Sequence, residues 1–186
     1  MFREEIIQQS LPLSKTPFRA GFVGLIGLPN AGKSTLANVL VEEKVSIVTS
    51  KPQTTRQRIL GIRNTDQYQM IFVDSPGLVK SQTGINDFLK VEAQTVLSES
   101  DLLVAVLNLD ADRVEDLLKV ADRCQQEKKP WLIVMTKSDH AQVQRQAVLR
   151  EKVKKYEVPV VAVSALHHAQ GTREFVLPLI EEKLPW

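Results

Sequence analysis

An uninterrupted G-x-x-x-x-G-K-[ST] motif occupies residues 27–34 of this chain. The apolar run at residues 22–26 precedes the motif and predicts a short buried strand, while residues 35–41 predict a first helix. In a strand–loop–helix unit of this kind, the backbone N–H groups of the loop and the positive end of the helix dipole both attract phosphate. The motif therefore predicts a phosphate-binding loop, or P-loop, that holds a nucleoside triphosphate.

Two side chains of this P-loop have expected chemical roles. The Lys33 ammonium is expected to reach the outer phosphates, and the Ser34 hydroxyl is expected to hold Mg²⁺. The backbone of the remaining positions is expected to surround the phosphates. The predicted nucleotide-binding residues of the loop are Gly27, Pro29, Asn30, Ala31, Gly32, Lys33, Ser34 and Thr35.

The chain has the composition of one ordinary globular domain. Its 186 residues suffice for a single core, and its hydrophobic and charged fractions of 43% and 25% are typical of folded proteins. The net charge of +2 neither requires nor excludes nucleic acid. No apolar run reaches the length of a membrane span, and residues 1–5 carry charges instead of an apolar signal core. These features predict a cytoplasmic protein without a transmembrane segment and leave peripheral membrane contact open.

Apolar runs alternate with amphipathic stretches along most of the chain. The later runs lie at residues 69–73, 102–107, 131–135 and 158–163. Because these runs are apolar on both faces, they predict parallel strands covered by helices. Helices are predicted at residues 86–98, 114–124, 141–155 and 173–183. The alternation predicts a doubly wound, three-layer α/β domain of the P-loop NTPase type, with a mostly parallel sheet of about six strands, one of them antiparallel, and about five helices.

Three local features refine this outline. Pro159 fits only the first residues of its strand or an edge strand, and Pro178 predicts a kink in the last helix or a late start to it. The single cysteine, Cys124, extends the apolar face of the helix that begins near Val114, which predicts a small buried side chain in a reducing compartment. Residues 1–19 contain several helix breakers and predict an N-terminal leader before a domain at 20–186.

A second motif follows the strand at residues 69–73. Asp74-Ser75-Pro76-Gly77 places an acid at a strand end and a flexible turn after it. Asp74 is expected to act on Mg²⁺, commonly through water, and the Gly77 N–H is expected to sense the γ-phosphate. Alone, this pattern also fits an ordinary turn between a strand and a helix. Its position about forty residues after the P-loop favours the nucleotide-binding interpretation.

Two further strand ends predict recognition of the base. The Asp139 carboxylate can accept hydrogen bonds from the guanine N1–H and exocyclic amine, a donor pair that adenine lacks. Lys137 is expected to lay its aliphatic stem along the base plane. Ser164, Ala165 and Leu166 follow the last strand, where a backbone N–H could meet guanine O6. His167 and His168 lack an acid or a cysteine at metal-ligand spacing, which predicts a solvated loop.

Together these motifs resemble the translation-factor-related GTPases, and most closely the Era family of bacterial ribosome-assembly GTPases. The most specific likeness is residues 45–62, where a K-x-Q-T-T-R-x-R-I run is similar to the first switch of that family and leads into the second strand. Pro29 and Asn30 in the P-loop, and the run at 74–78, also look Era-like. The resemblance covers about residues 20–184, a whole GTPase domain.

The resemblance implies a set of roles for the hydrolysis of GTP to GDP. Thr55 would complete the metal shell with Ser34 and Asp74, with Thr54 as the alternative. Asn30 would mark a potassium-dependent GTPase, in which K⁺ stands in for an arginine finger, although asparagine also simply favours turns. The implied catalytic residues are therefore Lys33, Thr55, Gly77 and Asn30.

The chain departs from the family pattern in two motifs. Thr136 replaces the asparagine that usually opens the guanine motif, and this shorter hydroxyl is expected to lose a hydrogen bond to the base or to the P-loop. Leu78 replaces the water-orienting glutamine of Ras-like proteins, which implies slow turnover, on the order of 10⁻⁴ to 10⁻² s⁻¹. The RNA-binding KH domain that follows in Era is also expected to lie outside this chain.

The resemblance implies a GTP/GDP switch that acts on the small ribosomal subunit and its RNA, mainly through that further region. Loops 46–59 and 75–86 are the expected switch loops, which would change order when the γ-phosphate is present. Two alternatives stay open. One is a sibling GTPase of ribosome or tRNA metabolism, and the other is a nucleotide-dependent interaction module with negligible hydrolysis. An ATP-specific enzyme is a third alternative, which a guanine preference would exclude.

Overall fold

A computed structural model describes residues 18–41, 58–74, 93–139 and 142–185 of the chain, without the side chain of Arg58. In these ranges the strands are β1 (Arg19–Ile26), β2 (Arg58–Asn64), β3 (Tyr68–Asp74), β4 (Leu102–Asn108), β5 (Trp131–Thr136) and β6 (Val160–Ala162). The α-helices are α1 (Lys33–Leu40), α2 (Gln94–Glu99), α3 (Val114–Gln126), α4 (Val143–Val153) and α5 (Ala169–Lys183). A 3₁₀ turn, Lys154–Tyr156, extends α4.

The six strands form one sheet in the order β2-β3-β1-β4-β5-β6. β2 pairs antiparallel with β3, and the other neighbouring pairs are parallel. β3 lies on one side of β1 and β4 lies on the other, so the strand order reverses at β1. Ligands bind in open α/β sheets at the carboxyl ends of the strands where the order reverses. The predicted doubly wound, mostly parallel fold with one antiparallel strand is confirmed.

Helices cover both faces of the sheet. Helices α1 and α5 pack on one face, and α2, α3 and α4 pack on the other. Successive residues of β4 alternate between the two cores, as Leu102 and Val104 face the first core while Leu103 and Ala105 face the second. Because both faces are dry, the strand is apolar at every position, which is the pattern that predicts a central parallel strand.

Strand bounds differ from the sequence predictions at the two ends of the domain. Arg19, which the prediction places at the end of the leader, is the first residue of β1 and pairs with Tyr68 of β3. At the other end, β6 is shorter than the predicted run and Pro159 lies just before it. The Pro159 carbonyl accepts a hydrogen bond from the Ile133 N–H at 2.9 Å. Since β6 is an edge strand, the expected placement of Pro159 is confirmed.

The last helix begins earlier than predicted. α5 starts at Ala169, where the Thr172 N–H and hydroxyl both donate to the His168 carbonyl at 2.9 Å, so the expectation of a late start is wrong. Pro178 lies inside the helix. It cannot donate to the carbonyl four residues earlier, at Glu174, but both residues are exposed and water can solvate that carbonyl.

Other helix predictions agree where the structure describes them. Residues 93–98 of the predicted 86–98 helix include most of α2, whereas residues 86–92 lie outside the described ranges. Cys124 is fully buried on α3, and burial raises the pKa of its thiol, which confirms the structural interpretation of this cysteine. Of the helices in the described ranges, none combines the length and hydropathy that a bilayer span requires.

Candidate functional site

A cavity of about 230 Å³ opens at the carboxyl ends of β5 and β6, beside the first turn of α1. It gathers residues from four segments that are far apart in sequence. We call it the strand-end cavity. Its lining residues are Gly32, Thr35, Asp110, Thr136, Lys137, Asp139, Ser164, Ala165 and Leu166.

The P-loop joins β1 to α1 at the edge of this cavity. The Ala31 N–H donates to the Leu28 carbonyl at 3.1 Å, which closes a turn, and the Leu36 N–H donates to the Gly32 carbonyl at 2.8 Å, which opens the helix. Gly32 has φ 89° and Asn30 has φ 62°, both in the left-handed region. Such backbone is unstrained for glycine and tolerated by asparagine, so the sequence of the loop matches its curvature.

Gly27 is required for a different reason, namely close packing. A Cβ at this position would lie 2.6 Å from the Val106 carbonyl oxygen and 3.2 Å from the Ala31 Cβ. The base of the P-loop therefore rests directly on the backbone of β4. A side chain larger than hydrogen at position 27 would push the loop away from the sheet.

Lys33 curls back over its own loop. Its Nζ donates to the carbonyls of Gly27 at 3.0 Å and Leu28 at 3.2 Å, and it lies 3.9 Å from the Asp74 Oδ1. Burial lowers the pKa of the Lys33 ammonium, and the neighbouring Asp74 carboxylate opposes that shift. The two charged groups thus meet in a largely desolvated position, where a cation interacts strongly with any anion brought to the loop.

Thr136 links the end of β5 to the P-loop. Its hydroxyl, on a residue that is 2% exposed, donates to the Ala31 carbonyl at 2.7 Å across 105 positions of sequence. The expectation that threonine at this position would lose its hydrogen bond to the P-loop is therefore wrong. The short threonine side chain reaches the P-loop because β5 ends directly behind the loop. A Cβ added at Gly32 would accordingly lie only 3.8 Å from Thr136.

Lys137, the next residue, makes an ion pair that no sequence motif predicted. Its Nζ donates to the Asp110 Oδ2 at 2.9 Å, and the Asn108 Nδ2 donates to the Asp110 Oδ1 at 2.8 Å. Lys137 has φ 60°, a left-handed conformation that is uncommon for lysine. Asp110 is absent from the motif patterns because it follows β4, and only the pairing of β4 with β5 brings it beside Lys137.

Asp139 also has a neighbour that sequence reasoning missed. The His167 Nε2 lies 3.3 Å from the Asp139 Oδ2. The prediction that His167 has no acid beside it holds for the sequence spacing but not for the fold, because the loop after β6 lies next to the loop after β5. In the described ranges, no group of three or more His, Cys, Asp or Glu side chains could hold a metal ion.

The loop after β6 completes the cavity wall. The Val163 N–H donates to the Met135 carbonyl at 2.8 Å, and the Ser138 N–H donates to the Val163 carbonyl at 3.2 Å. These bonds fix the loop against the end of β5. Ser164 is 4% exposed and its hydroxyl has no hydrogen-bond partner among the described residues, whereas Leu166 is 74% exposed.

The structure brings together most, but not all, of the predicted site residues. The P-loop, the strand-end acid Asp74 and the two base motifs lie along one edge of the sheet. In the P-loop, Pro29, Asn30 and Ser34 are exposed at this edge. The predicted switch residues Thr54, Thr55, Gly77 and Leu78 lie outside the described ranges, as do most of the leader, residues 46–57 of the first expected switch loop and the whole of the second, at 75–86. Residues 58 and 59, which the prediction places in the first loop, are the first residues of β2.

Comparison with known proteins places this geometry in a family. Residues 22–137 match the family described as "50S ribosome-binding GTPase". The chain is 34% identical over 168 residues to the GTPase Era of Thermoanaerobacter sp. (strain X514), an alignment that covers 89% of this chain and 54% of that protein. The chain thus spans about half the length of the curated relatives it matches.

Solved structures give the same result. The crystal structure of Aquifex aeolicus Era bound to GDP·AlF₄⁻ superposes with a TM-score of 0.68 at 30% identity, covering 91% of this chain and 58% of that one. Era in complex with MgGDPNP and nucleotides 1506–1542 of 16S ribosomal RNA superposes with a TM-score of 0.67 at 29% identity, covering 91% and 58%. Since the family match extends over more than half of the sequence, this chain belongs to the family of 50S ribosome-binding GTPases.

Proposed function

We propose that this chain is an Era-type GTP-binding domain that hydrolyses GTP slowly to GDP and phosphate. One observation carries the proposal: the P-loop and the guanine-motif residues border one cavity. Gly32 and Thr35 line it from the phosphate side, and Asp139 lines it from the side of the base. A nucleotide bound there would span both groups.

Guanine selection is assigned to Asp139, which borders the cavity at the end of β5. A carboxylate accepts hydrogen bonds but cannot donate one when ionised, so it matches the two donors of guanine and mismatches adenine. The backbone at Ser164, Ala165 and Leu166 lies on the same wall and is assigned to guanine O6. Lys137 is assigned to the face of the base.

The residues at the phosphate end fit a magnesium ion. Asp74 is 7% exposed at the end of β3, and Ser34 lies at the start of α1, so both offer the hard oxygen ligands that Mg²⁺ prefers. We assign Ser34, Asp74 and Thr55 to the metal, which would neutralise charge on the outer phosphates. Asn30 is assigned to a K⁺ ion, because this residue of the P-loop is exposed and an amide oxygen suits a hard monovalent cation.

Phosphoryl transfer to water depends on positioning and charge stabilisation more than on covalent chemistry. Lys33 and the P-loop N–H groups would stabilise the phosphate charge, and the Gly77 N–H would contact the γ-phosphate. With Leu78 in place of a water-orienting side chain, the attacking water lacks a dedicated partner in the motif. We therefore assign a slow intrinsic rate, on the order of 10⁻⁴ to 10⁻² s⁻¹.

The similar proteins support a proposal for the biological role. Era was solved with part of 16S ribosomal RNA, and we propose that this chain serves as the nucleotide switch of a protein that acts on the small ribosomal subunit in the cytoplasm. The switch loops at 46–59 and 75–86 would change with the γ-phosphate. RNA contacts would come mainly from parts of the relatives that this chain does not span.

The proposed activity is tested by phosphate release from GTP with Mg²⁺, measured in KCl and in NaCl and with ATP as a blank. Multiple turnover of GTP but not ATP is the expected result, and faster turnover in KCl would support the role of Asn30. Equal rates in the two salts would contradict that role alone. GTP binding without release in either salt would instead favour a nucleotide-dependent interaction module.

Thr136 provides a further prediction. Thr136→Val keeps the shape of the side chain but leaves the Ala31 carbonyl without its 2.7 Å hydrogen bond. The free energy of unfolding in urea is expected to fall by about 1–3 kcal/mol, and GDP affinity is expected to fall with it because the P-loop is less firmly held.

Thr172→Val is the matched control for Thr136→Val. Thr172 is also buried, and its hydroxyl donates to the His168 carbonyl within the first turn of α5. This variant should lose stability but keep GDP affinity. Equal affinities in both variants would show that the Thr136 hydroxyl stabilises the fold without shaping the site.

A further inference from the structure

Asp110 is a cavity-lining carboxylate that none of the nucleotide-binding motifs includes. It lies two residues beyond the end of β4, and Lys137 lies one residue beyond the end of β5. Asn108 and Thr136 are paired neighbours in the sheet, so the two loops leave the sheet side by side. The position of Asp110 beside Lys137 is therefore a consequence of strand register.

The Asp110 carboxylate is held on both of its oxygens. Lys137 Nζ binds the Oδ2 at 2.9 Å, and Asn108 Nδ2 binds the Oδ1 at 2.8 Å. Hydrogen bonding and the charge of Lys137 hold the pKa of Asp110 below its usual range, so the carboxylate is ionised at neutral pH. Because both oxygens are bonded, the carboxylate is held in one orientation when it accepts the hydrogen bond of Lys137.

The backbone that carries this pair is also fixed. The Leu109 N–H donates to the Thr136 carbonyl at 3.0 Å, and the Ala111 N–H donates to the Asn108 carbonyl at 3.1 Å. On the other side of Lys137, Ser138 is bonded to the loop after β6. These bonds hold Lys137 in its left-handed conformation, a strained backbone state that persists only where the surroundings determine it.

A lysine side chain has many rotamers and loses conformational entropy when it is held in one conformation. In a site where the lysine stem must lie flat against a purine, this entropy loss weakens nucleotide binding unless the side chain is already ordered in the free protein. The Asp110 pair holds the end of the stem of a lysine that lines the cavity. Pre-ordering of this kind increases affinity without adding any contact to the nucleotide.

We propose that Asp110 is a positioning residue for guanine-nucleotide recognition, which acts by fixing Lys137 at the wall of the strand-end cavity. The inference rests on the proposed function, because it assigns a role to a lysine that contacts the base. Asp110 is expected to affect the affinity for the nucleotide. Base selectivity remains with Asp139, and phosphate chemistry remains with Lys33.

The test compares two single variants that each remove one carboxylate from the same loop. Asp110→Asn removes the charge that holds Lys137, while Asp112→Asn removes an exposed charge two residues later for which no contact with Lys137 is seen. Binding of a fluorescent N-methylanthraniloyl GDP is measured for both in the full chain. Asp110→Asn should raise the Kd about three- to tenfold, and Asp112→Asn should leave it within about twofold.

A double-variant cycle separates positioning from general structure. Lys137→Met keeps an aliphatic stem but cannot bind Asp110, so Asp110→Asn should have no further effect on the Kd in that background. In steady state, Asp110→Asn should raise KM more than it lowers kcat. Thermal midpoints are recorded for all variants, so that a loss of folding is not mistaken for a loss of positioning.

Each outcome has a distinct meaning. Equal Kd values for Asp110→Asn and Asp112→Asn would overturn the inference, as would an additive double variant. Tighter binding by Asp110→Asn would also overturn it, because the ion pair would then compete with the nucleotide. If the unaltered chain does not bind the fluorescent GDP, the proposed function fails, and the role of Asp110 fails with it for a different reason.

Discussion

Lys33→Met is expected to lower GTP affinity and phosphate release together, each by about 100-fold or more. Methionine keeps much of the length of the side chain but removes the ammonium that binds the Gly27 and Leu28 carbonyls beside Asp74. In the proposed mechanism this cation neutralises the outer phosphates where water is largely excluded. Its removal therefore affects both the bound nucleotide and the charge that develops during transfer.

The measurement for Lys33→Met is GTP binding by calorimetry, together with phosphate release at saturating GTP. Lys119→Met is the matched control, since Lys119 is a partly exposed lysine on α3 that pairs with Asp116 away from the cavity. This control should bind and turn over GTP normally. Near-normal turnover by Lys33→Met would contradict the assignment of the P-loop lysine, and so would a loss of equal size in the control.

Stability provides an independent measurement on the same variant. Burial lowers the pKa of Lys33, which means that the fold disfavours its charged form more than Asp74 favours it. Removing the ammonium relieves that cost but leaves Asp74 without this neighbouring cation. We therefore expect the thermal midpoint of Lys33→Met to change far less than its activity, as is common where a site is built for function at a cost to stability.

The fold was predictable because its signals are local. Each central strand is apolar on both faces, and each motif follows directly after a strand, so sequence position alone places Asp74, Asp139 and Ser164 at one edge of the sheet. The left-handed turn at Gly32 is equally local, since the loop pattern contains the glycine that the turn requires. For these residues, periodicity and spacing were sufficient.

The remaining contacts of the site depend on tertiary pairing. The Thr136 hydroxyl meets the Ala31 carbonyl across 105 positions, and Lys137 meets Asp110 across 27. No local pattern contains either pair, because each depends on which strands are neighbours and on their register. The same reason explains why the sequence did not reveal His167 beside Asp139, although the two residues lie in adjacent loops.

The start of α5 was missed for a different physical reason. Gly171 lies in the first turn of α5 and weakens the local helical signal, which favoured a start near residue 173. In the fold, Thr172 is bonded twice to His168, while Val176 and Ile180 are buried against the sheet. Packing therefore extends the helix where propensity alone would have ended it.

Asp139→Asn is expected to change which base the site prefers. The ionised carboxylate accepts from both guanine N–H groups, and hydrogen bonds to a charged group are each worth about 1.5–3 kcal/mol. Asparagine has one acceptor, and its amide N–H₂ would face a guanine donor. GDP affinity should therefore fall by about tenfold or more, from the loss of one of the two bonds at the lower value.

Xanthine provides the complementary test of the same residue. It presents a carbonyl oxygen where guanine has its exocyclic amine, so the amide of Asp139→Asn can donate where the carboxylate could not. Xanthosine diphosphate should bind the variant more tightly than it binds the unaltered chain, while ADP should bind neither. Because the side chain keeps its size, the neighbouring His167 and the cavity wall are expected to keep their places.

Affinities of GDP, xanthosine diphosphate and ADP for both proteins decide among three explanations. A gain for xanthosine diphosphate with a loss for GDP would assign base recognition to Asp139. Equal losses for both nucleotides would indicate that the substitution disrupts the loop after β5, and then the selectivity of the site would remain unassigned. Unchanged GDP affinity would place base recognition elsewhere on the cavity wall, where the backbone after β6 is the nearest alternative.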